Sequence, residues 1–400
     1  MSPQRAILFF TCGAHATTHL YMLLFTAVLG PMAASFEMDV ATFTQYAMIS
    51  TVLFGLGAIP AGWLADRYGE KRLLVAFFVL TGAGGLIVGL AQSRLFLAAG
   101  MALLGLGTSI FHPVGNSLLA KGSPNPGRAM GINGLWGSIG TAAGPLYAGL
   151  ITKWSGSWRG SYLSLFVPMM ALGYWLYVTK LEEGEPLVRQ PEKEADRAVG
   201  PQPRDKSLVA RLTLLLMATT CGGLTFHLIT TMLTLLAASG GGDGLESALL
   251  RGSVLASLIY LIGGVGQILA GNLVDRHDGR GLYVLILITA APLIFFVGQL
   301  AGSSPLVLTS LGGVMAVAVF AVQPVENVLL SRFAPPGRRG FVFGLKFVLA
   351  FGLGGMGTGL AGVLEWKYGI ATVFTVAAAV TLLAALLAVG AWKWPAKPDA

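Results

Sequence analysis

Residues 112–119, His-Pro-Val-Gly-Asn-Ser-Leu-Leu, return at 323–330 as Gln-Pro-Val-Glu-Asn-Val-Leu-Leu, about half of the 400-residue chain further on. Three other pairs fall at nearly the same offset. Ala61-Gly62-x-Leu64-x-Asp66-Arg67 recurs as Ala270-Gly271-x-Leu273-x-Asp275-Arg276, Gly127-Arg128 as Gly337-Arg338, and Cys12-Gly13 as Cys221-Gly222. The chain is therefore built from two related halves, and a fold that does not divide in two is excluded from the start.

Each half must also live outside water. Apolar residues make up 54% of the chain and charged residues 11%, with a mean hydropathy of +0.73. A soluble domain carries roughly 25% charged residues, so most of this surface does not face solvent. Twelve long, nearly uncharged stretches are predicted to span a bilayer: 6–29, 42–65, 73–92, 95–120, 128–152, 159–179, 209–236, 246–274, 281–301, 304–331, 340–364 and 370–392. Helix is the form they must take, because lipid offers backbone N–H and C=O groups no partners. The first stretch contains His15 and His19 and reads as a span, not a cleavable signal.

The expected fold is thus all-α, with twelve transmembrane helices in two pseudo-symmetric six-helix bundles. Residues 1–179 and 209–400 would form the bundles, and 180–208, rich in Glu, Pro and Lys, a flexible cytoplasmic linker. With the N-terminus placed inside, twenty of the 26 Lys and Arg fall on the cytoplasmic side, five outside and one, Lys346, within a span. That bias sets the orientation, with both termini in the cytoplasm. It also accounts for the net charge of +8 without nucleic acid as a partner. Cys12 and Cys221 both lie in spans and say nothing about redox compartment.

Twelve spans in a 6+6 repeat with a repeated loop signature resemble the major facilitator superfamily over essentially the whole chain. The most specific stretch is Gly62-Trp63-Leu64-Ala65-Asp66-Arg67-Tyr68-Gly69-Glu70-Lys71-Arg72, close to that family's motif between spans two and three. Gly140-x3-Gly144-Pro145-x3-Gly149 in span five is similar to its antiporter-type motif, whose small residues let helices approach and bend. More narrowly, Ser109-Ile110-Phe111-His112-Pro113 followed by Gly127-Arg128 is similar to the fosmidomycin-resistance type of exporter. The resemblance implies a secondary transporter of that fold in a bacterial inner membrane. It also implies two acids that are absent here: Val114 replaces a Glu after His112-Pro113, and His19 an acid four residues after His15.

The loop signature is expected to act as a gate. Gly62 and Gly69 permit close helix approach and a tight turn. Asp66 sits at a helix C-terminus, where a carboxylate needs a cation or a neighbouring helix N-terminus to answer it. Arg67, Arg72 or Arg128 are candidates for that answer, as are helix-end donors. Asp275-Arg276 is expected to be a weaker second copy, since Asp278-Gly279 departs from the first. The plainer reading is that the basic residues only anchor the cytoplasmic face.

Polar groups deep in a span are costly and face a cavity or a partner helix. His15 and His19 are four apart, on one face of span one, and His227 occupies a corresponding depth in span seven. These three are expected to form the centre of the transport path and its proton switch, since imidazole titrates near neutrality. His112 and Asn116 in span four are repeated by Gln323 and Asn327 in span ten. Glu326 is the expected intramembrane carboxylate and Lys346 the ammonium, and the two are candidates to pair. Each has a structural alternative, above all His112, whose Pro113 frees a nearby carbonyl. Cys12, His15 and His19 at i, i+3 and i+7, with Met217, Cys221 and His227 in the repeat mate, also admit a soft-metal reading.

No nucleotide-binding Gly-rich loop with a Lys, catalytic His cluster in a loop, or soluble domain is visible, so an enzyme is not expected. The function read from the sequence is proton-coupled efflux of an organic solute or drug by alternating access. A transition-metal or small organic-anion transporter is the alternative. A monomer is expected, with a small-molecule substrate, protons and lipid as partners and with no cofactor and no resident metal.

Overall fold

The spans begin where short polar side chains replace the missing helical hydrogen bonds. In the computed structural model, which describes residues 2–38, 40–181, 206–239, 245–335 and 337–393, Ser2, Ser93, Ser157, Asp278 and Ser304 cap five helices by accepting from backbone N–H groups of the first turn. Pro3 and Pro305 occupy the first helical position, where no N–H is needed. Of the expected linker 180–208, residues 182–205 lie outside the described residues, as do 394–400.

The N-terminal half gives α1 (Pro3–Ser35), α2 (Val40–Tyr68), α3 (Glu70–Leu90), α4 (Arg94–Ser109), α5 (Phe111–Gly122), α6 (Pro126–Ser155) and α7 (Trp158–Val178). The C-terminal half gives α8 (Lys206–Ala238), α9 (Leu245–Val274), α10 (Gly279–Gly298), α11 (Pro305–Phe333), α12 (Arg339–Phe347), a π-helical turn (Val348–Leu353), α13 (Met356–Tyr368) and α14 (Ile370–Lys393). The described residues contain no strand. All twelve expected spans are helical. Eleven are apolar enough by composition to cross a membrane; the twelfth, α6, is not among them, its seven glycines supplying little hydropathy.

Two spans are broken, which the sequence reading does not anticipate. Span four breaks at Ile110, between α4 and α5. Pro113 has no N–H to donate to the carbonyl of Ser109, so the ladder opens there. The corresponding Pro324 sits inside an unbroken α11, so proline alone does not dictate the break. Span eleven loosens into the π-helical turn, where the Gly354 N–H donates to the Leu349 carbonyl at 2.9 Å, one residue beyond the α pattern.

The chain forms two compact units that do not follow the midpoint of the sequence strictly. The first comprises Met1–Pro124, Trp136–Ala198 and Pro335–Phe347; the second comprises Asn125–Leu135, Val199–Ala334 and Val348–Ala400. Each unit thus takes one short helical segment from the opposite half. Within the first, α3 packs on α4 and α7, and α2 on α4. Within the second, α10 packs on α11 and α14, and α9 on α11. These pairings are repeat mates, so the internal repeat is visible as repeated packing. The second unit closes over Leu228, Leu233, Ile259, Ile294 and Phe374, all fully buried. Large apolar side chains such as Leu95, Leu306 and Leu386 stay exposed, as a lipid-facing surface requires. Trp154 and Trp366, beside Lys153 and Lys367, are exposed repeat mates of the kind that anchor at a bilayer interface.

Candidate functional site

The loop signature folds into a carboxylate clamp. Gly69, at φ 98°, turns the chain between α2 and α3 in a conformation that favours glycine. One turn earlier Asp66 is buried, and its two oxygens accept the backbone N–H groups of Gly340 (3.0 Å) and Phe341 (2.9 Å) at the start of α12. A helix N-terminus has unpaired N–H groups and a positive dipole end, so it holds a carboxylate without immobilising a long side chain. The clamp is made possible by glycine on both sides: a Cβ at Gly62 would run into the Gly340 carbonyl, and a Cβ at Gly340 into that of Gly62.

Among the described residues, no arginine side chain is bonded to Asp66. The Arg67 guanidinium lies over the rings of Trp63 and Tyr68, 5.5 and 5.8 Å from their centroids. Arg72 and Arg128 are exposed. Of the candidate answers to Asp66, the helix-end donors are the ones the structure uses.

The second copy is as complete as the first. In the other unit, Asp275 accepts the N–H groups of Gly127 and Arg128, both at 2.8 Å, at the start of α6. Arg128 therefore acts through its backbone, and Arg276 remains exposed. The expectation that Asp275 is the weaker copy is corrected. Asp278, where the motif departs, caps α10 by accepting from the backbone N–H and side-chain Nε of Arg280, both at 3.1 Å, and leaves the Asp275 clamp intact.

Deep in the first unit three histidines meet. Nε2 of His15 and His19 are 3.1 Å apart and share one hydrogen bond, one ring N–H donating to the other ring. His112 completes the group: one nitrogen from each ring lies within 4.8 Å of the other two. The break at Ile110 starts α5 immediately before His112, whose ring stacks on Phe347 at 4.2 Å between centroids. Lys346, buried in the same unit, has its Nζ 5.1 Å from the Phe347 ring centroid and interacts electrostatically with His112. Space for His15 comes from Gly137 on α6, where a Cβ would fall 2.5–2.9 Å from three of its ring atoms. Gly140 and Gly144 continue that face onto Ala16, Leu20 and Leu23 of α1, ahead of Pro145. Asn116, one turn beyond His112, is buried.

The remaining path residues belong to the second unit. His227 is half-buried, with Phe226 and Phe351 edge-on at 5.8 and 5.7 Å. Glu326 is buried and accepts the Tyr283 hydroxyl at 2.8 Å. Asn327 is buried, whereas Gln323, the repeat mate of His112, is exposed. The same unit holds a narrow crevice with apolar walls, including Phe226, Tyr260, Met315 and Phe320, which none of these four residues lines.

Sequence reasoning missed a further buried carboxylate. Glu70, which the sequence reading assigns no role, is 1% exposed. It accepts the Ser117 hydroxyl at 2.9 Å and is ion-paired with Lys121. The only signal is the preceding Gly69, whose turn carries Glu70 inward. Lys121→Met is expected to lower stability by about 3 kcal/mol, since it leaves a buried charge unpaired. Glu70→Gln combined with Lys121→Met is expected to recover most of that loss, read as the midpoint of thermal unfolding in detergent. Equal midpoints for the single and double variants would refute the pairing.

Comparison with known proteins follows the same lines. The model of the family described as "Major Facilitator Superfamily" matches residues 9–359. The fosmidomycin resistance protein of Escherichia coli (strain K12) is 25% identical over 388 residues, covering 93% of this chain and 89% of that one. The uncharacterized transporter YfnC of Bacillus subtilis (strain 168) is 26% identical over 339 residues, covering 81% and 78%. In fold, the chain is similar to the proton:xylose symporter XylE, with a TM-score of 0.76 at 14% identity and coverage of 96% and 95%. It is likewise similar to the human organic anion transporter MFSD10, with a TM-score of 0.73 at 16% identity and coverage of 97% and 100%.

Proposed function

Because this chain belongs to the major facilitator superfamily, an integral membrane family of small-molecule carriers, we propose that it is a proton-coupled secondary transporter that expels an organic solute or drug by alternating access. The reading is carried by the matched clamps of Asp66 and Asp275. Each ties a carboxylate to the N-terminus of a helix whose sequence belongs to the opposite half. Contacts of this kind form and break as whole units, which is what a gate between two states needs. The efflux direction draws on the printed name of the Escherichia coli relative.

The chain acts as a monomer in a bacterial inner membrane. Both termini and the 180–208 linker are cytoplasmic, and the linker joins bundles 1–179 and 209–400. The candidate path residues of the first unit are His15, His19, His112, Asn116 and Lys346. Those of the second unit are His227, Gln323, Glu326 and Asn327. His227 takes up the coupled proton, imidazole being the side chain whose ordinary charge change falls near neutral pH. A second reading, carriage of a small organic anion, is favoured by the buried Lys346, whose Nζ lies 5.1 Å from the Phe347 ring on which His112 stacks.

The test is proton flux in liposomes. Purified protein is reconstituted with an entrapped pH-sensitive dye, and fosmidomycin is added as the first probe solute. Solute-driven proton movement is expected in the wild type. In His227→Gln it is expected to vanish while exchange of labelled solute continues. Solute transport indifferent to an imposed pH gradient would show a facilitator instead.

A further inference from the structure

We infer that His15, His19 and His112 form a binding site for one divalent transition-metal ion of the zinc and cobalt class. The inference rests on the geometry of the three rings and not on the transport reading. Ring nitrogens from the three residues lie within 4.8 Å of one another, and those of His15 and His19 are 3.1 Å apart. A tetrahedral ion with metal–nitrogen bonds of about 2.05 Å needs its ligand nitrogens about 3.3 Å apart. The His15–His19 pair already meets that spacing. His112 closes on it with a ring shift of about 1–1.5 Å, well within side-chain adjustment in such a site.

The supporting structure holds the rings in this arrangement. The i, i+4 spacing puts His15 and His19 on one face of α1. The helix break at Ile110 precedes His112, whose ring is backed by Phe347 at 4.2 Å. His15 lies against Gly137 on one side and Phe111, at 4.8 Å, on another. Three imidazoles and no thiolate select borderline ions over soft ones. Cys12, which the sequence places on the same helix face, is not part of the group.

Three protein ligands leave the fourth position of a tetrahedral ion open, the pattern of exchangeable sites and not of closed structural ones. An anion in that position, such as chloride or hydroxide, lowers the charge of the complex.

The experiment is a titration of the full-length protein in detergent with cobalt(II) chloride, followed by the visible band of four-coordinate cobalt. One ion per chain is expected, displaced by zinc chloride. His15→Gln and His112→Gln are each expected to weaken binding by more than about 100-fold, beyond the 10–100-fold that loss of an outer partner costs. His277→Gln, which alters an exposed histidine of the second unit, is expected to bind as the wild type does. Thermal unfolding without metal verifies that each variant is folded. A second readout is the upward shift of the wild-type midpoint by cobalt, absent in His15→Gln and His112→Gln. No four-coordinate band, or a band that survives both variants, overturns the site. No solute or gradient is present, so failure of the transport reading leaves this result unaffected, and the reverse holds as well.

Discussion

Asp66→Asn is expected to slow transport by about tenfold or more while leaving the apparent affinity for substrate near the wild-type value. The carboxylate spends both oxygens on the N–H groups of Gly340 and Phe341. Asn keeps one acceptor and loses the charge that the helix end favours. A hydrogen bond to a charged group contributes about 1.5–3 kcal/mol, and each 1.4 kcal/mol is tenfold in an equilibrium. The conformation that contains the clamp is therefore depopulated by one to two orders of magnitude. The substrate path is untouched, so the loss falls on turnover. Initial rates across a range of solute concentrations separate the two. Equal loss of rate and affinity, or no loss, would show that Asp66 does not gate. Asp275→Asn is expected to act the same way, because its two-donor geometry matches.

Gly340→Val is expected to have the other large effect. Its Cβ would run into the Gly62 carbonyl and lie 3.0 Å from Oδ1 of Asp66. Both neighbours are fixed, one as backbone and one by the clamp, so the helices must separate. Overpacking of this kind costs about 1–3 kcal/mol, and the Asp66 bonds are lost with it. A lowered unfolding midpoint together with a turnover defect like that of Asp66→Asn is the expected result. A melting curve and rate equal to the wild type would mean that α2 and α12 do not need their close approach.

The same pair of residues shows where sequence reading stops. Gly62, Asp66 and Gly69 are legible as a turn and a gate because a carboxylate at a helix C-terminus demands an answer. That the answer is two backbone N–H groups of α12 is one of two readings the sequence leaves open. Arginine side chains satisfy the charge equally well. Backbone donors carry no sequence signature, so only the fold reveals them. Asp275 is obscured by a second cause: the departure at Asp278 looks like decay of a motif until it is seen capping α10.

The histidines divide likewise. His15 and His19 are adjacent by helical arithmetic, and their 3.1 Å contact follows from a spacing of four. His112 lies nearly a hundred residues away, and the proline beside it gave an equally good structural reason for its presence. Its approach depends on a break at Ile110 that Pro113 permits without dictating, as the unbroken helix at Pro324 shows. Glu70 draws no attention in the sequence, where its neighbours are Lys71 and Arg72, whereas its partners are Ser117 and Lys121.

By itself, then, the sequence determined what depends on period, composition and offset. It set twelve helical spans, a division into two related halves, the family and the placement of the polar residues along each span. These are local or additive quantities, and the hydrophobic effect and the backbone's need for hydrogen bonds enforce them wherever the chain goes. Tertiary structure alone decided which N–H groups hold each carboxylate, which third imidazole joins His15 and His19, and which short segment each unit takes from the opposite half. Those outcomes depend on the close approach of helices distant in sequence. That approach is set by where glycines let backbones touch and where a helix breaks, and no single segment encodes it.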